Sequence, residues 1–383
     1  MFLKAQNFKC FVDSSIVLNN LTVFAGANGN GKSTAIQALL FLRQTIEDVF
    51  RVDSDYYLFQ DCEINLNIPL NSRYLLNLGN SSLLLNRNSN SNEINLGLFD
   101  ETNEFLVDYF VDNEAQNLYI LAKKCHILEN PNFPIFKREF YYLNAERFGP
   151  RISQNINHFD YLNTGYQGEY VAQVISEKGG LTSVEQNRLF DANVKGVFEK
   201  GLENQVNQWL NYIMPGTRIK ASQNPTTLSS QIQIENYLTR GEPTSATNVG
   251  FGISYVLPII VSGLIAKKDS FFIVENPEAH LHPSAQTRIG EFLSIIANSG
   301  VNVVIETHSD HLINGIQLAV VKSKILNDKV SINYFSSSES SLEPNHVPIS
   351  INPKGELTDW PKGFFDQTQM DYSELFNFRS NAK

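Results

Sequence analysis

The chain has 383 residues, of which 42% are hydrophobic and 18% charged, and its formal net charge is −10. This length predicts two or three lobes of an ordinary globular protein rather than one compact core or a disordered chain. The acidic balance argues against a protein that coats nucleic acid with its whole surface, although it leaves room for a local basic patch. No apolar run approaches the length of a membrane span and no signal-peptide core follows Met1, so we expect a cytoplasmic protein without membrane contact.

The first predicted elements are two strands, over residues 2–10 and 16–24, followed by a glycine-rich loop and a helix that runs to about Val49. The loop, Gly26-Ala27-Asn28-Gly29-Asn30-Gly31-Lys32-Ser33, has the spacing of a phosphate-binding loop. Its glycines let backbone N–H groups surround phosphate oxygens, Lys32 would reach the β- and γ-phosphates, and the Ser33 hydroxyl would bind Mg²⁺. We therefore predict a nucleoside triphosphate site that contains Asn28, Gly29, Asn30, Gly31, Lys32, Ser33 and Thr34.

Beyond this helix the pattern changes twice. Short β-like segments between residues 56 and 128 predict an antiparallel sheet attached to the nucleotide site. Apolar residues at helical spacing between 183 and 213 predict a helical insertion, for which Thr182 and Glu185 have the spacing of a capping box. Pro215 is expected to end it.

A phosphate-binding loop needs a carboxylate at the end of a neighbouring buried strand to hold Mg²⁺ and its waters. The apolar run 271–274 leads into Glu275, so we assign Glu275 to the metal together with Ser33. A second buried strand, over 301–305, ends shortly before His308, and a histidine in this place can contact the γ-phosphate. Glu275 and His308 are therefore candidate catalytic residues.

A second helix start that contains glycines lies upstream, at Asn248-Val249-Gly250-Phe251-Gly252. Glycine N–H groups at a helix N-terminus suit an anion, yet one chain has little use for two such sites on one nucleotide. We therefore predict that Asn248, Gly250 and Gly252 bind the nucleotide held by a neighbouring copy.

The order of these motifs resembles that of ATP-binding-cassette ATPases, in the branch that includes SMC, RecF and OLD-like proteins. Val249-Gly250-Phe251-Gly252 looks like the degenerate signature motif of this branch, and the segment from Glu275 to Pro283 looks like its Walker B motif and D-loop. The chain is also similar to bacterial AAA-family ATPases with a short uncharacterised C-terminal domain, through Asn144-Ala145-Glu146-Arg147 and the segment from Trp360 to Gln367. The resemblance implies an α/β, SMC-like ATPase head that uses ATP and Mg²⁺, and a head-to-tail homodimer that encloses two ATP molecules.

One position departs from the pattern of the cassette ATPases. They place an Asp and then a catalytic Glu where this chain has Glu275 and Asn276, and an amide cannot take a proton from the attacking water. Slow hydrolysis is therefore expected. Glu278 is a candidate replacement base, with a structural cap as the alternative role, and Gln60 is the candidate for the glutamine of the family's Q-loop.

The histidines near the strand ends suit other chemistry as well. His280, His282, His308 and His311 have spacings that ligate zinc or manganese in other proteins, so a metal hydrolase is an alternative interpretation. A Ser/His/Asp hydrolase built from residues 308–310 is disfavoured, because sequence neighbours rarely converge on one reacting atom.

The residues after His308 number 75 and contain no Asp-x-Asp metal pair, so we expect no nuclease domain of the OLD type. They predict a strand over 330–335, a serine-rich loop over 336–341, a hairpin near 352–355 and an aromatic segment over 360–365. Core or dimer packing is the favoured role of the aromatic segment, and a docking surface for a partner is the alternative.

The predicted divisions are 1–165 for an N-terminal ATPase lobe with the β subdomain, 166–217 for the helical insertion, 218–335 for a C-terminal ATPase lobe, and 336–383 for a small C-terminal segment. From the family resemblance we expect an ATPase that dimerises on ATP, with larger assemblies also open to it, and that controls a separately encoded, nuclease-type effector in bacterial anti-phage defence. Two alternatives stay open: a repair-type ATPase that itself clamps DNA ends, and a scaffold that binds ATP with little turnover.

Overall fold

The computed structural model describes residues 1–53, 55–58, 62–112, 116–129, 132–193, 196–236, 240–337, 343–361 and 363–381. The strands are β1 (Phe2–Phe8), β2 (Phe11–Val17), β3 (Leu21–Gly26), β4 (Arg51–Asp53), β5 (Tyr56–Leu58), β6 (Cys62–Pro69), β7 (Glu93–Phe99), β8 (Glu104–Phe110), β9 (Tyr119–Leu128), β10 (Tyr141–Leu143), β11 (Gln154–Asn155), β12 (Arg218–Asn224), β13 (Ser229–Glu235), β14 (Thr244–Ser245), β15 (Phe271–Glu275), β16 (Asn302–Thr307), β17 (Val330–Ser336) and β18 (Asn345–Ile349). The helices are α1 (Lys32–Val49), α2 (Val171–Lys178), α3 (Leu202–Ile213), α4 (Phe251–Ile265), α5 (Pro283–Asn298), α6 (Asp310–Val321) and α7 (Gln367–Asn381).

The N-terminal part contains an antiparallel sheet of six strands in the order β2-β1-β7-β8-β9-β6. Its strands alternate between buried apolar and more exposed residues, as in β8, where Phe105, Val107 and Tyr109 are fully buried. This apolar face packs in one hydrophobic core with α1, the helix that follows the phosphate-binding loop. The predicted antiparallel sheet beside the nucleotide site is therefore confirmed.

The second sheet is the central sheet of the molecule, with the strand order β10-β15-β16-β3-β17-β18. All neighbours from β10 to β17 are parallel, and only β18 runs antiparallel. Strands β3, β15 and β16 are almost continuously apolar because both faces of the sheet are covered. Since carboxyl ends of parallel strands meet at one edge, this sheet brings the loop after β3 beside the ends of β15 and β16.

Helices α3, α4, α5 and α6 pack in a second hydrophobic core on the central sheet. Helix α4 is apolar on all sides and accommodates Pro258 in its interior. A smaller sheet of β11, β12, β13 and β14 lies next to α2. In the described ranges, no helix has both the length and the apolar character needed to cross a bilayer.

The prediction of one strand over residues 16–24 is wrong, because the chain turns between β2 and β3. The Asn19 N–H donates to the Thr22 hydroxyl at 2.8 Å, and this hydroxyl donates back to the Asn19 carbonyl at 3.2 Å. Strand β2 then pairs with β1 in the antiparallel sheet, whereas β3 joins the central sheet. Two apolar strands with a short polar turn between them were read as one continuous run.

The predicted helix over 183–213 forms only from Leu202 onward among the described residues. Instead of a capping box, Thr182 uses its carbonyl to accept the Leu202 N–H at 2.9 Å, and Glu185 has an extended backbone. The apolar residues before α3 pack from an irregular segment, as the Phe190 ring does at 5.2 Å from the Trp209 ring. Leu189 is buried there, whereas Val197 and Phe198 are more than 80% exposed, so the helical spacing of these residues arises without a helix and without a shared buried face. Helix α2 lies within the predicted helical insertion over 166–217, before the residues whose spacing indicates a helix.

The C-terminal strand and hairpin are confirmed. Strand β17 extends the central sheet beside β3, and Ile351 pairs with Leu357 across the hairpin. Of the predicted serine-rich loop, 338–341 lie outside the described residues. In the aromatic segment, Phe364 is fully buried with its ring 5.2 Å from that of Tyr334, whereas Trp360 is 52% exposed. At Phe364 the favoured role in packing is confirmed.

Candidate functional site

The loop between β3 and α1 has the backbone conformation that its glycines allow. Gly26 has a φ of 133° and lies so close to β17 that a Cβ atom there would overlap the Phe335 carbonyl. Gly31 has a φ of 101° and directly precedes the first residue of α1. A Cβ atom on Gly31 would lie 3.2 Å from the Cys10 sulfur. The loop therefore holds its N–H groups at the N-terminus of an 18-residue helix, as phosphate binding requires.

Lys32 and Ser33 both point into this region. The Lys32 ammonium donates to the carbonyls of Gly26 and Ala27, at 2.9 and 2.8 Å. Burial lowers the pKa of Lys32, and the charge of Glu306 partly opposes this change. The Ser33 hydroxyl donates to Glu306 Oε1 at 2.9 Å. A cation and a carboxylate thus flank the loop in the places where phosphate and a metal ion would bind.

A cavity of about 370 Å³ joins the loop to the ends of β15 and β16. Of the loop residues predicted for the nucleotide site, all but Asn30 line this cavity. The lining residues are Asn28, Gly29, Gly31, Lys32, Ser33, Thr34, Ala145, Glu275, Asn276, Glu306 and His308.

Glu275 and Glu306 occupy paired positions at the ends of the neighbouring strands β15 and β16. Burial raises the pKa of Glu275 to about 7, and the charge of Glu306 adds to the rise. The Tyr142 hydroxyl donates to Glu275 Oε1 at 2.9 Å, and this hydrogen bond partly opposes the rise of the Glu275 pKa. Burial also raises the pKa of Glu306, whose Oε2 atom has no hydrogen-bond partner in the described part of the chain.

Glu306 was not predicted as a site residue, because it was read as the polar end of a buried strand. The signal was nonetheless present, since Glu275 and Glu306 each end an apolar strand run. Two such strands in parallel register place their terminal carboxylates side by side.

Glu278 and Asn276 lie in the turn after β15. Glu278 does not line the cavity. Its Oε1 atom accepts a hydrogen bond from the backbone N–H of His308 at 2.7 Å. Burial raises the pKa of Glu278. Asn276 does line the cavity, and its buried Oδ1 atom has no hydrogen-bond partner within the described ranges.

His308 follows β16 and lines the cavity with an exposed side chain. Burial of part of the ring lowers the pKa of His308, and the positive charge of Lys32 adds to this effect. The imidazole is therefore neutral at physiological pH and can donate one hydrogen bond.

Arg147 belongs to the stretch Asn144-Ala145-Glu146-Arg147 that carries the family resemblance. In the structure, its side chain fixes the turn after β15. Its guanidinium donates to the carbonyl of Glu275 at 2.8 Å and to that of Asn276 at 2.5 Å. It also stacks on the Tyr255 ring at 5.2 Å. Burial lowers the pKa of Arg147 to about 10, so the side chain stays charged at neutral pH. A buried cation thus fixes the backbone that carries two cavity residues.

The predicted signature residues do not line the cavity of their own chain. Asn248 and Gly250 are exposed at the N-terminus of α4, and a Cβ atom on Gly250 would meet nothing within 4 Å. Gly252 is buried in the first turn, where a Cβ atom would lie 3.1 Å from the His280 carbonyl. Gln60 lies outside the described residues.

The oxygen atoms at the cavity suit a magnesium ion. The hydroxyl of Ser33 and the carboxylates of Glu275 and Glu306 are hard oxygen donors of the kind Mg²⁺ prefers. Glu306 offers a buried carboxylate oxygen that nothing else in the described ranges engages. The residues present therefore fit the cofactor that a phosphate-binding loop uses with its nucleotide.

The histidines of the metal-hydrolase alternative have other partners. The His280 ring stacks 5.4 Å from that of Phe251, and His282 caps α5 by accepting the Ser284 N–H at 3.3 Å. Within the described ranges, no group of three or more His, Cys, Asp or Glu side chains could hold a metal ion.

Two family models match consecutive parts of the chain. The model described as "AAA domain, putative AbiEii toxin, Type IV TA system" matches residues 21–314. A model described as "Protein of unknown function (DUF3696)" matches residues 325–375. The Old nuclease of Escherichia phage P2 is 32% identical over 83 residues, which are 19% of this chain and 14% of that nuclease.

Solved structures of SMC heads share the fold at 12% sequence identity. One, an SMC head bound to the C-winged helix domain of ScpA, is matched over 97% of its chain and 92% of this one, with a TM-score of 0.51. Another, with an extended coiled coil and bound to the C-terminal domain of ScpA derived from Pyrococcus furiosus, is matched over 96% of its chain and 91% of this one, with a TM-score of 0.52. The chain thus has the SMC-head α/β fold, and it belongs to the AAA-domain family described as putative AbiEii toxin of Type IV toxin–antitoxin systems.

Proposed function

We propose that this ATPase binds and hydrolyses ATP with Mg²⁺ in the cavity between the phosphate-binding loop and the ends of β15 and β16. The observation that carries the proposal is the hydrogen bond from Ser33 to Glu306, in a cavity that Lys32, Glu275 and His308 also line. It joins the start of α1 to the end of β16 at the point where the metal ion of a phosphate-binding loop belongs.

Ser33 and Glu306 would hold the magnesium ion, with Glu275 facing the same ion or its waters. The ion would supply charge neutralisation of the β- and γ-phosphates. His308 would donate to the γ-phosphate from its neutral ring. Glu275, rather than the predicted Glu278, would accept the proton of the attacking water, because Glu275 lines the cavity and Glu278 does not.

Glu278 would position His308, because its carboxylate accepts a hydrogen bond from the backbone N–H of His308 without lining the cavity itself. This corresponds to the structural role that the sequence left open for Glu278. Asn276 stands at the place of the usual catalytic Glu, and its amide cannot replace a base. We therefore propose slow turnover, in which ATP stays bound for a long time before it is hydrolysed.

A neighbouring cavity of about 450 Å³ would receive the base of the nucleotide. Leu78, Leu83 and Leu85 give it apolar walls, and Lys9 and Cys10 line it as well. Thr34, which lines the phosphate cavity, is hydrogen-bonded to Cys10, so the two cavities are neighbours. A nucleotide with its phosphates at Lys32 could therefore extend its base along this surface.

ATP would also join two copies of the chain head to tail. Asn248 and Gly250 are exposed at the N-terminus of a 15-residue helix, yet they do not line their own phosphate cavity. A helix N-terminus with free N–H groups attracts phosphate oxygens. We propose that Asn248, Gly250 and Gly252 close the nucleotide site of a second copy.

In the cell, this ATP-dependent dimer would control a separately encoded effector of nuclease type in anti-phage defence. Support comes from the family description, which names a toxin of toxin–antitoxin systems, and from the partial match to the Old nuclease of a phage. A regulator of this kind changes its partner only through a difference in binding between the ATP-bound and ATP-free states.

The test is affinity purification of the full chain from its host with ATP and Mg²⁺, analysed by mass spectrometry and compared with Lys32→Ala. We expect a nuclease or other toxin-like protein to co-purify with the wild type and to be lost in Lys32→Ala. Recovery of the chain with host DNA alone would contradict this function and favour a DNA clamp, whose binding should fall steeply with salt. Measurable ATP turnover that disappears in Lys32→Ala would exclude a scaffold without hydrolysis.

A further inference from the structure

A second large cavity lies apart from the phosphate-binding loop, between the N-terminal antiparallel part and the central sheet. Its volume is about 590 Å³, within the range of small-molecule sites. We call it the interlobe cavity; its walls include Tyr74, Arg138, Phe140, Tyr142 and Tyr166. Except for Tyr142, none of these five side chains has a role in the ATP site proposed above.

Aromatic rings form the wall of the interlobe cavity. The Tyr74 ring lies 5.2 Å from that of Tyr166 and 5.3 Å from that of Phe140, and the rings of Tyr142 and Tyr166 are 6.0 Å apart. Phe140 and Tyr74 are almost fully buried, whereas Tyr166 is partly exposed. Of these four rings, only that of Tyr166 is partly accessible, so its face can stack with a flat ring, and stacking of this kind tolerates any nucleobase.

The interlobe cavity is lined by Arg73 and Arg138 and by the carboxylates of Glu47, Asp160 and Glu169, and among the described residues Arg138 is in no ion pair. Arg73 is paired with Glu47 at 3.1 Å and with Asp48 at 3.0 Å. Arg138 donates to the Asp160 carbonyl at 3.1 Å, and no carboxylate in the described ranges pairs with its guanidinium. A guanidinium beside an aromatic wall suits a phosphate group carried by an aromatic ligand.

One wall residue connects the interlobe cavity to the ATP site. Tyr142 lines the cavity and donates its hydroxyl hydrogen to Glu275 Oε1 at 2.9 Å. The same hydroxyl oxygen accepts a hydrogen bond from Asn144 at 2.8 Å. A ligand that moves the Tyr142 ring therefore changes a hydrogen bond of a carboxylate that lines the phosphate cavity.

We propose that the interlobe cavity binds a nucleotide, with its base against Tyr166 and its phosphate at Arg138, and that Tyr142 couples this site to Glu275. The nucleotide is either a free mononucleotide or the 5′-terminal nucleotide of a single strand, which present the same chemistry. Binding in this cavity goes beyond the proposed ATPase function and stands on separate side chains, whereas the coupling rests on the proposed ATP site through Glu275.

Binding is tested with the full chain carrying Lys32→Ala, so that the phosphate-binding loop does not dominate the signal. AMP, GMP, CMP, UMP and 5′-phosphorylated single-stranded DNA hexamers are titrated by calorimetry. We expect saturable one-site binding that weakens about tenfold on adding Tyr166→Ala and also falls on adding Arg138→Gln. Saturation by mononucleotides identifies a free ligand, and saturation by hexamers alone identifies a strand end.

If no probe binds saturably, or if both added substitutions leave the affinity unchanged, the interlobe cavity is not a nucleotide site. Folding is controlled by measuring the Mg²⁺–ATP affinity of Tyr166→Ala and Arg138→Gln with Lys32 intact, which should equal that of the wild type. That measurement also separates this inference from the ATPase proposal, because failure at one site leaves the other testable.

Coupling is tested by measuring the Mg²⁺–ATP affinity with and without a saturating probe for the interlobe cavity. We expect the probe to change the ATP affinity of the wild type several-fold, since coupling between sites is reciprocal. Tyr142→Phe keeps the ring and removes the hydroxyl, so the probe should still bind within twofold but no longer alter ATP affinity. A change that persists in Tyr142→Phe would indicate direct competition and overturn the coupling.

Discussion

At the scale of single residues, the phosphate cavity combines two neighbouring carboxylates with one lysine. Glu275 and Glu306 end adjacent strands in register, and burial raises the pKa of each. Two buried carboxylates close together are unfavourable as anions unless a cation shares them. The two carboxylates therefore destabilise the nucleotide-free chain, and the proposed Mg²⁺ would relieve this repulsion.

Replacing Glu275 with Gln should therefore stabilise the nucleotide-free protein in a pH-dependent way. Its pKa rises from 4.5 to about 7 on folding, so the folded chain holds a proton that the unfolded chain releases, and stability falls as pH rises through this window. We expect the gain of Glu275→Gln, measured by urea unfolding, to be small at pH 4.5 and on the order of 2 to 3 kcal/mol at pH 8. The exposed Glu242→Gln serves as control. An equal gain at both pH values would contradict the raised pKa.

At the scale of elements, the sequence predicted what is encoded by short-range pattern. The phosphate-binding loop and α1 follow from the spacing of Gly26 to Ser33, and the antiparallel strands follow from alternation. Contacts between distant segments were not predictable in this way. Arg147 meets the Glu275 carbonyl across 128 residues of chain, and the Glu306 carboxylate meets Ser33 across 273. The segment before α3 has helical apolar spacing without forming a helix, and its Val197 and Phe198 are exposed, so the spacing alone does not decide the local structure.

Arg188 in this misread segment makes a testable contribution to α4. Its buried guanidinium donates to the Ala266 carbonyl just after the C-terminus of α4, and its Nε donates to the Ser299 hydroxyl at 2.7 Å. Arg188→Met would leave these buried acceptors unpaired, so we expect the free energy of unfolding to fall by about 2 to 4 kcal/mol in urea. Its ion-pair partner Glu185 is half exposed, and Glu185→Gln should cost less than about 1 kcal/mol. Equal losses would show that the ion pair, rather than the helix end, matters.

At the scale of the whole molecule, the proposed dimer requires each head to display two unlike surfaces for one ligand. The phosphate cavity is built around the start of α1, and the exposed glycine turn is at the start of α4. Two such surfaces on every copy allow a two-fold pair to close two sites at once. Because Arg147 holds the turn after β15 and also stacks on Tyr255 of α4, the two surfaces are mechanically connected within a copy.

This arrangement predicts that a charge at Gly250 blocks dimerisation without harming the fold. A Cβ atom there meets nothing within 4 Å and the φ of −62° suits any residue, so Gly250→Glu should fold normally and still bind Mg²⁺–ATP as a monomer. Its carboxylate would face the phosphates bound by the partner copy, and like charges repel. Light scattering with ATP should therefore find dimers of the wild type and monomers of Gly250→Glu. The matched control is Gly180→Glu, an equally open glycine outside the proposed interface, which should still dimerise. Dimers of Gly250→Glu would show that the start of α4 does not contact the partner's nucleotide.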